Sequence, residues 1–469
     1  MKTSVLHNPY RYQALLALFL ALTVHAQNTG FANGSTGNPV GHNDLMLLKP
    51  AAGNRYLTLP DGSPFFWLGD AAWSLIAQLD REDVDFYLDD RKNKGFTVVL
   101  VNLIEHKFCT NAPSDFYGDL PFNGKPFGSP NEKYFEQADY IISAAAKRKI
   151  VVLLAPVYLG YDCKDEGWCK EVREASDLDL YTYGKYVGER FKKFANVVWI
   201  IGGDTDPTGV KGKILEIIRG IRENDAVHMF SAHNQPGSMA ITPWQGESWL
   251  TINNVYSYDS VLYTHFKTAF RMKPAMPFYL CESAYENEHE STPRQLRSQA
   301  YQAILSGAMG HIFGNCPIWH FGAMENWCNK TDWKTELNNS GSVSMYYFQK
   351  LFRSRAWYSL IPDFDHRVIV SGFGEWGCRN YITSALTGDG NTLIAYVPSG
   401  TTFTVDLGKI SGNKAICRWY NPSDGKVTES GKFRTTGLQQ FSAPSDDDWV
   451  FVVDNEFLYP YDPGSSGLP

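Results

Sequence analysis

Two carboxylates stand where carboxylates are seldom found. Asp204 closes the run VVWIIGGDTDP (197–207), and Glu282 closes the apolar part of PFYLCESAY (277–285). Each run is rich in β-branched or aromatic residues, the pattern of a strand buried on both faces. Gly202 and Gly203 allow a tight reversal just before Asp204. Most carboxylates sit on solvated helix faces, so a pair ending two greasy strands suits proton transfer or nucleophilic attack. Cleavage of a glycosidic bond needs such a pair, one on each side of the anomeric carbon. The two carboxyls are about 5–5.5 Å apart where configuration is retained and further apart where it is inverted. Two structural alternatives stay open: Asp204 as the cap of a following helix, and Glu282 as the partner of a buried arginine. Asp206, before Pro207, reads as turn chemistry. Glu286 and Glu288, further along the loop, read as solvated.

The elements that must hold this pair can be read from the chain. Apolar runs at 65–70, 97–103, 150–156, 197–204, 228–234, 251–258, 277–282 and 311–315 make eight strand candidates. Helical patterns lie between them: 81–94 after the cap candidate Asp80, 134–149, 180–194, 213–223, 261–272, 293–308 after Thr292-Pro293, and 344–358. Strand–helix alternation over some 300 residues predicts a parallel sheet, and eight repeats predict an α/β fold closed as a (β/α)8 TIM barrel. An open doubly wound sheet is the second choice, but no G-x-G-x-x-G follows the first strand. In a barrel, catalytic groups sit at the carboxyl ends of strands. That rule makes Asp70, Trp73, Asn102, His106, Tyr158, His233, Tyr256, Tyr258 and Trp319 candidate sugar contacts, because each ends or closely follows a strand. Asp70 and His233 lead among them.

Past Ile361-Pro362 the composition changes to short alternating runs at 368–373, 379–387, 392–397, 403–407, 417–420 and 449–453, separated by Gly, Asn, Asp and Ser. This predicts a small antiparallel β-sandwich. The expected organisation is an export signal at 1–26, a flexible leader at 27–46, the barrel at 47–362 and the sandwich at 363–469. The signal rests on Lys2 and Arg11, the apolar stretch ALLALFLALTV and the small-residue site before Gln27. That stretch is too short for a permanent membrane anchor. A secreted or periplasmic monomer with no membrane association after cleavage is expected.

The 469 residues are 43% hydrophobic and 20% charged, enough for a sizeable core. The net charge of −7 and the absence of a Lys/Arg run argue against nucleic acid as a partner. Aromatics make up 14%, compatible with rings stacked on sugars and equally with a large barrel core. Eight cysteines in an exported chain permit disulfides. Cys163/Cys169 and Cys316/Cys328 could each clip a loop, Cys378/Cys417 could bridge the last domain, and Cys281 reads as a packed thiol. No His/Cys cluster has zinc spacing, so neither a metal nor another cofactor is expected. A metal hydrolase built on His106 and His233 lacks any H-x-H or H-E-x-x-H.

The block PFFWLGDAAWSLIAQLDREDVDFYLDDRKNKGFTVVLVNL (64–103), with WIIGGDTDP and PFYLCESAYE, resembles the apiosidase-like barrel domain, formerly domain of unknown function 4038. The resemblance covers roughly 47–362. It implies a glycoside hydrolase similar to family 140, whose apiosidases release apiose-bearing side chains from the pectin rhamnogalacturonan II with an Asp/Glu pair. Similarity to the wider clan of barrel glycosidases implies Asp204 as acid/base on the fourth strand and Glu282 as nucleophile on the seventh. It also implies a tyrosine near the sixth strand's end that orients the nucleophile, and a retaining reaction. The shorter Asp at the acid position leaves room for inversion. The C-terminal segment resembles the small β-domain attached to such barrels, which carries a collagen-binding label; nothing in 365–455 argues for collagen, and packing against the barrel is its expected role. The expected partner is a plant or microbial polysaccharide or oligosaccharide. The alternative is a non-catalytic carbohydrate-binding or adhesion protein on a barrel scaffold.

Overall fold

The computed structural model describes residues 46–328 and 332–465. The export-signal segment and residues 27–45 of the leader lie outside the described residues. Eight parallel strands form the barrel: β1 (Trp67–Ala71), β2 (Val98–Asn102), β3 (Val151–Ala155), β4 (Val197–Gly202), β5 (Phe230–His233), β6 (Asn253–Tyr256), β7 (Phe278–Glu282) and β8 (Gly310–Phe313). All are buried along their length, as strands walled by helices outside and side chains inside must be. The hydrogen-bonded order runs β5-β4-β3-β2-β1-β8-β7-β6, with a short antiparallel strand, Ser238–Met239, on β6.

β5 and β6 form no regular ladder; side chains and strand entrances close the seam. The Phe230 carbonyl accepts from the amides of Thr251 and Ile252 at 3.0 Å. The Thr251 hydroxyl accepts from Phe230 N–H at 2.9 Å, and the Asn254 amide donates to the Ala232 carbonyl at 2.6 Å.

The main helices are α1 (Arg81–Asn93), α2 (Glu132–Lys147), α3 (Asp177–Phe191), α4 (Lys211–Asn224), α5 (Tyr263–Arg271), α6 (Pro293–Leu305) and α7 (Ser340–Arg353). Asp80 caps α1 by accepting from Asp83 N–H, and acids open that helix while bases close it, in line with its dipole. Thr292 caps α6 by accepting from Gln295 N–H, with Pro293 in the first turn.

Among the described residues the C-terminal part holds nine strands: β9 (Leu360–Pro362), β10 (Ile369–Ser371), β11 (Thr383–Thr387), β12 (Thr392–Val397), β13 (Thr402–Asp406), β14 (Lys414–Tyr420), β15 (Val427–Arg434), β16 (Leu438–Ser442) and β17 (Trp449–Asn455). They form a six-stranded sheet, β9-β11-β12-β17-β14-β15, and a three-stranded sheet, β10-β13-β16. One core runs from the barrel into the first sheet, because Tyr301, Phe348 and Phe352 cluster with Ala385, Ile394, Tyr396 and Val452. Tyr301 of α6 stacks on Tyr396 with centroids 5.2 Å apart. Buried Arg297 makes a two-pronged bond to Asp448 at 2.8 and 2.5 Å. Arg355, equally buried, grips Asp454 at 2.9 and 2.8 Å.

Disulfides join Cys163 to Cys169 and Cys316 to Cys328. Cys378 and Cys417 are not bridged; Cys417 is a buried thiol in β14. No helix among the described residues is long and apolar enough to cross a membrane.

Candidate active site

The turn after β4 is shaped by its two glycines. A Cβ on Gly202 would meet the His233 carbonyl at 2.5 Å, and one on Gly203 would lie 2.2 Å from the Tyr158 ring. The chain therefore passes flush against β5 and Tyr158 and delivers Asp204 with φ of 48°, a left-handed conformation that costs a non-glycine residue about 1–2 kcal/mol. Several bonds fix it there. Asp204 N–H donates to His233 Nδ1 at 3.0 Å, and its carboxylate accepts from the hydroxyls of Tyr158 (2.5 Å) and Tyr256 (2.7 Å). Strain held by this many contacts is characteristic of working sites.

Glu282 is the last residue of β7 and is 6% exposed. His233 Nε2 lies 2.7 Å from Oε2, and the Tyr258 hydroxyl donates to Oε1 at 3.3 Å. Because the Asp204 amide donates to Nδ1, that nitrogen must offer a lone pair, so the neutral ring carries its proton on Nε2 and donates to Glu282. The Asp204 amide holds this tautomer against a His233 pKa that burial lowers but that the Glu282 bond and the Asp204 charge together raise. Burial, and after it the charge of Asp204, pushes the Glu282 pKa up, while the His233 bond draws it down. One oxygen from each carboxylate and a His233 nitrogen lie within 4.8 Å of one another. Two carboxyls this close feel each other's charge, and the charge of Asp204 is the second cause, after burial, of the raised Glu282 pKa.

Above the pair opens a cleft of about 400 Å³. Of the residues singled out from sequence, Trp73, Asn102, Tyr158, Tyr256, Tyr258 and Trp319 line it with Asp204 and Glu282. His233 lies beneath, bridging the two acids. Aromatic edges build the walls: Phe108 meets Trp319 at 5.0 Å, and Trp319 meets Trp327 at 5.7 Å.

Two expected contacts are elsewhere. Asp70 points away from the cleft, between β1 and α1, where it is fully buried, accepts from the Tyr87 hydroxyl at 2.6 Å and pairs with Arg91 at 3.3 Å. His106 faces a separate surface depression beside Trp168, with Glu171 3.6 Å away. Nor is the β7 loop solvated as read. Glu286 is buried, accepting from Gly341 N–H at 2.6 Å and from Asn315 at 2.9 Å. Glu288 lines the cleft and accepts from the Trp319 indole at 2.8 Å; burial raises its pKa. Sequence reasoning also missed Phe108, Glu166, Tyr285, His289 and Trp327, all on the cleft wall. Four of them sit on loops without periodicity, and Trp327 on a four-residue helix (Glu325–Cys328) too short to show one; only Tyr285, three residues past Glu282, carried a positional signal. Its hydroxyl accepts from the Trp73 indole at 3.2 Å.

Asp204, His233 and Glu282 have the spacing of a three-ligand cation site. The His233 bonding opposes that use, because Nδ1 already accepts from an amide and Nε2 bears the proton.

Residues 51–359 match the family model described as the apiosidase-like catalytic domain, and residues 364–454 match one described as a collagen-binding domain of a collagenase. A glycoside hydrolase family 5 structure from Bacteroides vulgatus is similar with TM-score 0.79 at 24% identity, over 90% of this chain and 96% of its own. A second structure, described as a glycoside hydrolase, gives 0.77 at 24% identity over 87% and 97%. At such identities the likeness carries the fold, a TIM-like barrel followed by antiparallel sheets. No curated protein matches the chain.

Proposed function

Since the chain belongs to the apiosidase-like catalytic-domain family, we propose that it is a retaining glycoside hydrolase with Glu282 as nucleophile and Asp204 as acid/base. The observation that carries this reading is the proximity of the two strand-end carboxylates, with oxygens within 4.8 Å. Retaining pairs are about 5–5.5 Å apart, whereas inverting ones leave about 6.5–9.5 Å for a water. The Glu282 carboxylate attacks the anomeric carbon while protonated Asp204 gives its proton to the departing oxygen, breaking the glycosidic C–O bond. Asp204, now a base, takes a proton from water. The hydroxide so formed displaces Glu282 from the glycosyl ester and frees a sugar of unchanged anomeric configuration.

Each neighbour supports one of these steps. Tyr158 and Tyr256 can donate to the Asp204 carboxylate and accept from its acid, so both forms are held in place. His233 Nε2–H and Tyr258 hold Glu282 in its ionised form for attack. Trp73, Phe108 and Trp319 supply apolar faces, and Asn102, Glu166 and Glu288 the polar groups that hydroxyls need.

Within the family we take an apiose-terminated pectic side chain, of the rhamnogalacturonan II type, as the substrate. We take the site of action as outside the cytoplasm, on the strength of the N-terminal export pattern.

The test is hydrolysis of a panel of pectic oligosaccharides by wild type, Asp204→Ala and Glu282→Ala, with the first-formed anomer followed by NMR. Release of apiose with retained configuration by wild type alone is expected. Activity on another glycan, lost in both variants, would keep the pair and discard apiose. An inverted first product would sink the nucleophile role, and variants as fast as wild type would sink the pair.

A further inference from the structure

Beside the catalytic cleft lies a second one, about 600 Å³, between barrel and sandwich. Ser260, Glu290 and Arg294 line it from the barrel, and Arg379 and Asn380 line it from the C-terminal part. His289 borders both clefts, so the two spaces adjoin across a single side chain.

The segment that divides them has an unusual backbone. Asn287, His289 and Glu290 have φ of 67°, 48° and 57°, three left-handed non-glycine residues among four. The surroundings over-determine this shape. The Asn287 amide donates to the Cys316 carbonyl at 2.7 Å and to Glu336 at 2.8 Å, and Glu288 is held by the Trp319 indole. The His289 ring packs edge-on against Tyr258, whose hydroxyl reaches Glu282. A strained turn fixed on both sides is a rigid divider that gives each cleft its wall.

The charge of the second cleft has a sign. Two arginines face one carboxylate, Glu290. Arg294 donates through Nη2 to the backbone carbonyls of Pro398 and Asp446, and Arg379 through Nε to the Ser260 hydroxyl at 2.9 Å. Among the described residues neither arginine has a carboxylate partner, and the terminal nitrogens of Arg379 have no acceptor. A guanidinium fork open to a polar cleft matches a planar carboxylate or a sulfate ester.

We infer that the interdomain cleft is a distal subsite for an anionic sugar of the same oligosaccharide whose scissile bond lies between Asp204 and Glu282, with Arg379 as its principal contact. The continuity of the ligand rests on the glycosidase reading; the anion preference of the cleft does not.

The experiment measures binding to the full chain by calorimetry, using hexamers of galactose, galacturonic acid and sulfated galactose, beside a hydrolysis assay on the same preparations. The Glu282→Gln variant keeps hydrolysable ligands intact. At least one acidic hexamer should bind about tenfold or more tightly than the neutral one, the effect of one charge-assisted pair. Arg379→Ala and Arg379→Glu should abolish that preference without lowering the melting temperature, since the side chain is exposed. Preference for the galacturonate or for the sulfated hexamer identifies the anion. Equal affinity for all three hexamers, or a preference that survives in both Arg379 variants, overturns the inference. Hydrolysis without anion preference would remove the subsite and leave the glycosidase reading standing. Anion preference lost in Arg379→Ala, without hydrolysis of any glycan, would do the reverse.

Discussion

Asp204 and Glu282 are close enough that the charge of the one sets the readiness of the other. In its proposed role as nucleophile Glu282 must be ionised, yet burial and the Asp204 charge raise its pKa above the ordinary glutamate value of about 4.3. The acid limb of kcat/KM should therefore lie above that value. In Asp204→Asn the like charge is gone, so the Glu282 pKa falls and the acid limb moves to lower pH. On substrates with poor leaving groups the same variant should lose about 10²–10⁴-fold in rate, and much less on an activated aryl glycoside. An acid limb that does not move in Asp204→Asn would refute the coupling. His233→Ala acts in the opposite direction. It removes a bond that lowers the Glu282 pKa, so the acid limb should move up, with kcat/KM reduced about 10–100-fold, the worth of a hydrogen bond to a charged group. A reduced rate with an unshifted limb would leave His233 a packing role only.

At the level of elements, the position of Asp204 depends on a turn with no room for a side chain. In Gly203→Ala the new Cβ would lie 2.2 Å from the Tyr158 ring, so turn or ring must move. A displacement of about 1 Å at a catalytic group costs on the order of 10²-fold. Loss of kcat of that order, with a lowered melting temperature from crowding of the buried Tyr158 ring, is expected; unchanged kcat would show that the turn has slack. The eight strands and seven helices were legible because each strand is a short apolar run and each helix an amphipathic one with visible caps at Asp80 and Thr292. Which side of a strand faces the barrel mouth was not legible. When both faces are buried, alternation disappears and a polar residue gives no parity. That is why Asp70, in β1, pairs with Arg91 of α1 when a sugar contact was expected. β15 and β16 were also missed. VTESGKFR and LQQFS are largely exposed, so they carry no hydrophobic signal and form strands only because β14 and β13 offer them edges. The cleft residues that lie between the main elements, Phe108 and Trp327 among them, come together only in the tertiary structure.

Across the whole molecule, composition marked a change of architecture near Pro362, but it did not reveal that the two parts share a core and buried charges. Asp454 meets Arg355 and Arg418 with essentially no exposure. Breaking such a pair leaves an uncompensated buried charge, at about 3–5 kcal/mol. Asp454→Ala should therefore lower stability by that amount, and denaturation should follow one transition reported alike by barrel and sandwich probes. Two separated transitions would contradict the common core. The same pairs also set an order of events. During synthesis the barrel is complete in sequence by about residue 360, yet Arg297 and Arg355 receive their carboxylates from positions 448 and 454. Until that stretch of chain emerges, the Arg297 and Arg355 guanidiniums lack their carboxylates and the aromatic seam of α6 and α7 has no sheet against it. The barrel is thus an unfinished object while it waits for residues 448–454, and a chain that stops before them is exposed at that face.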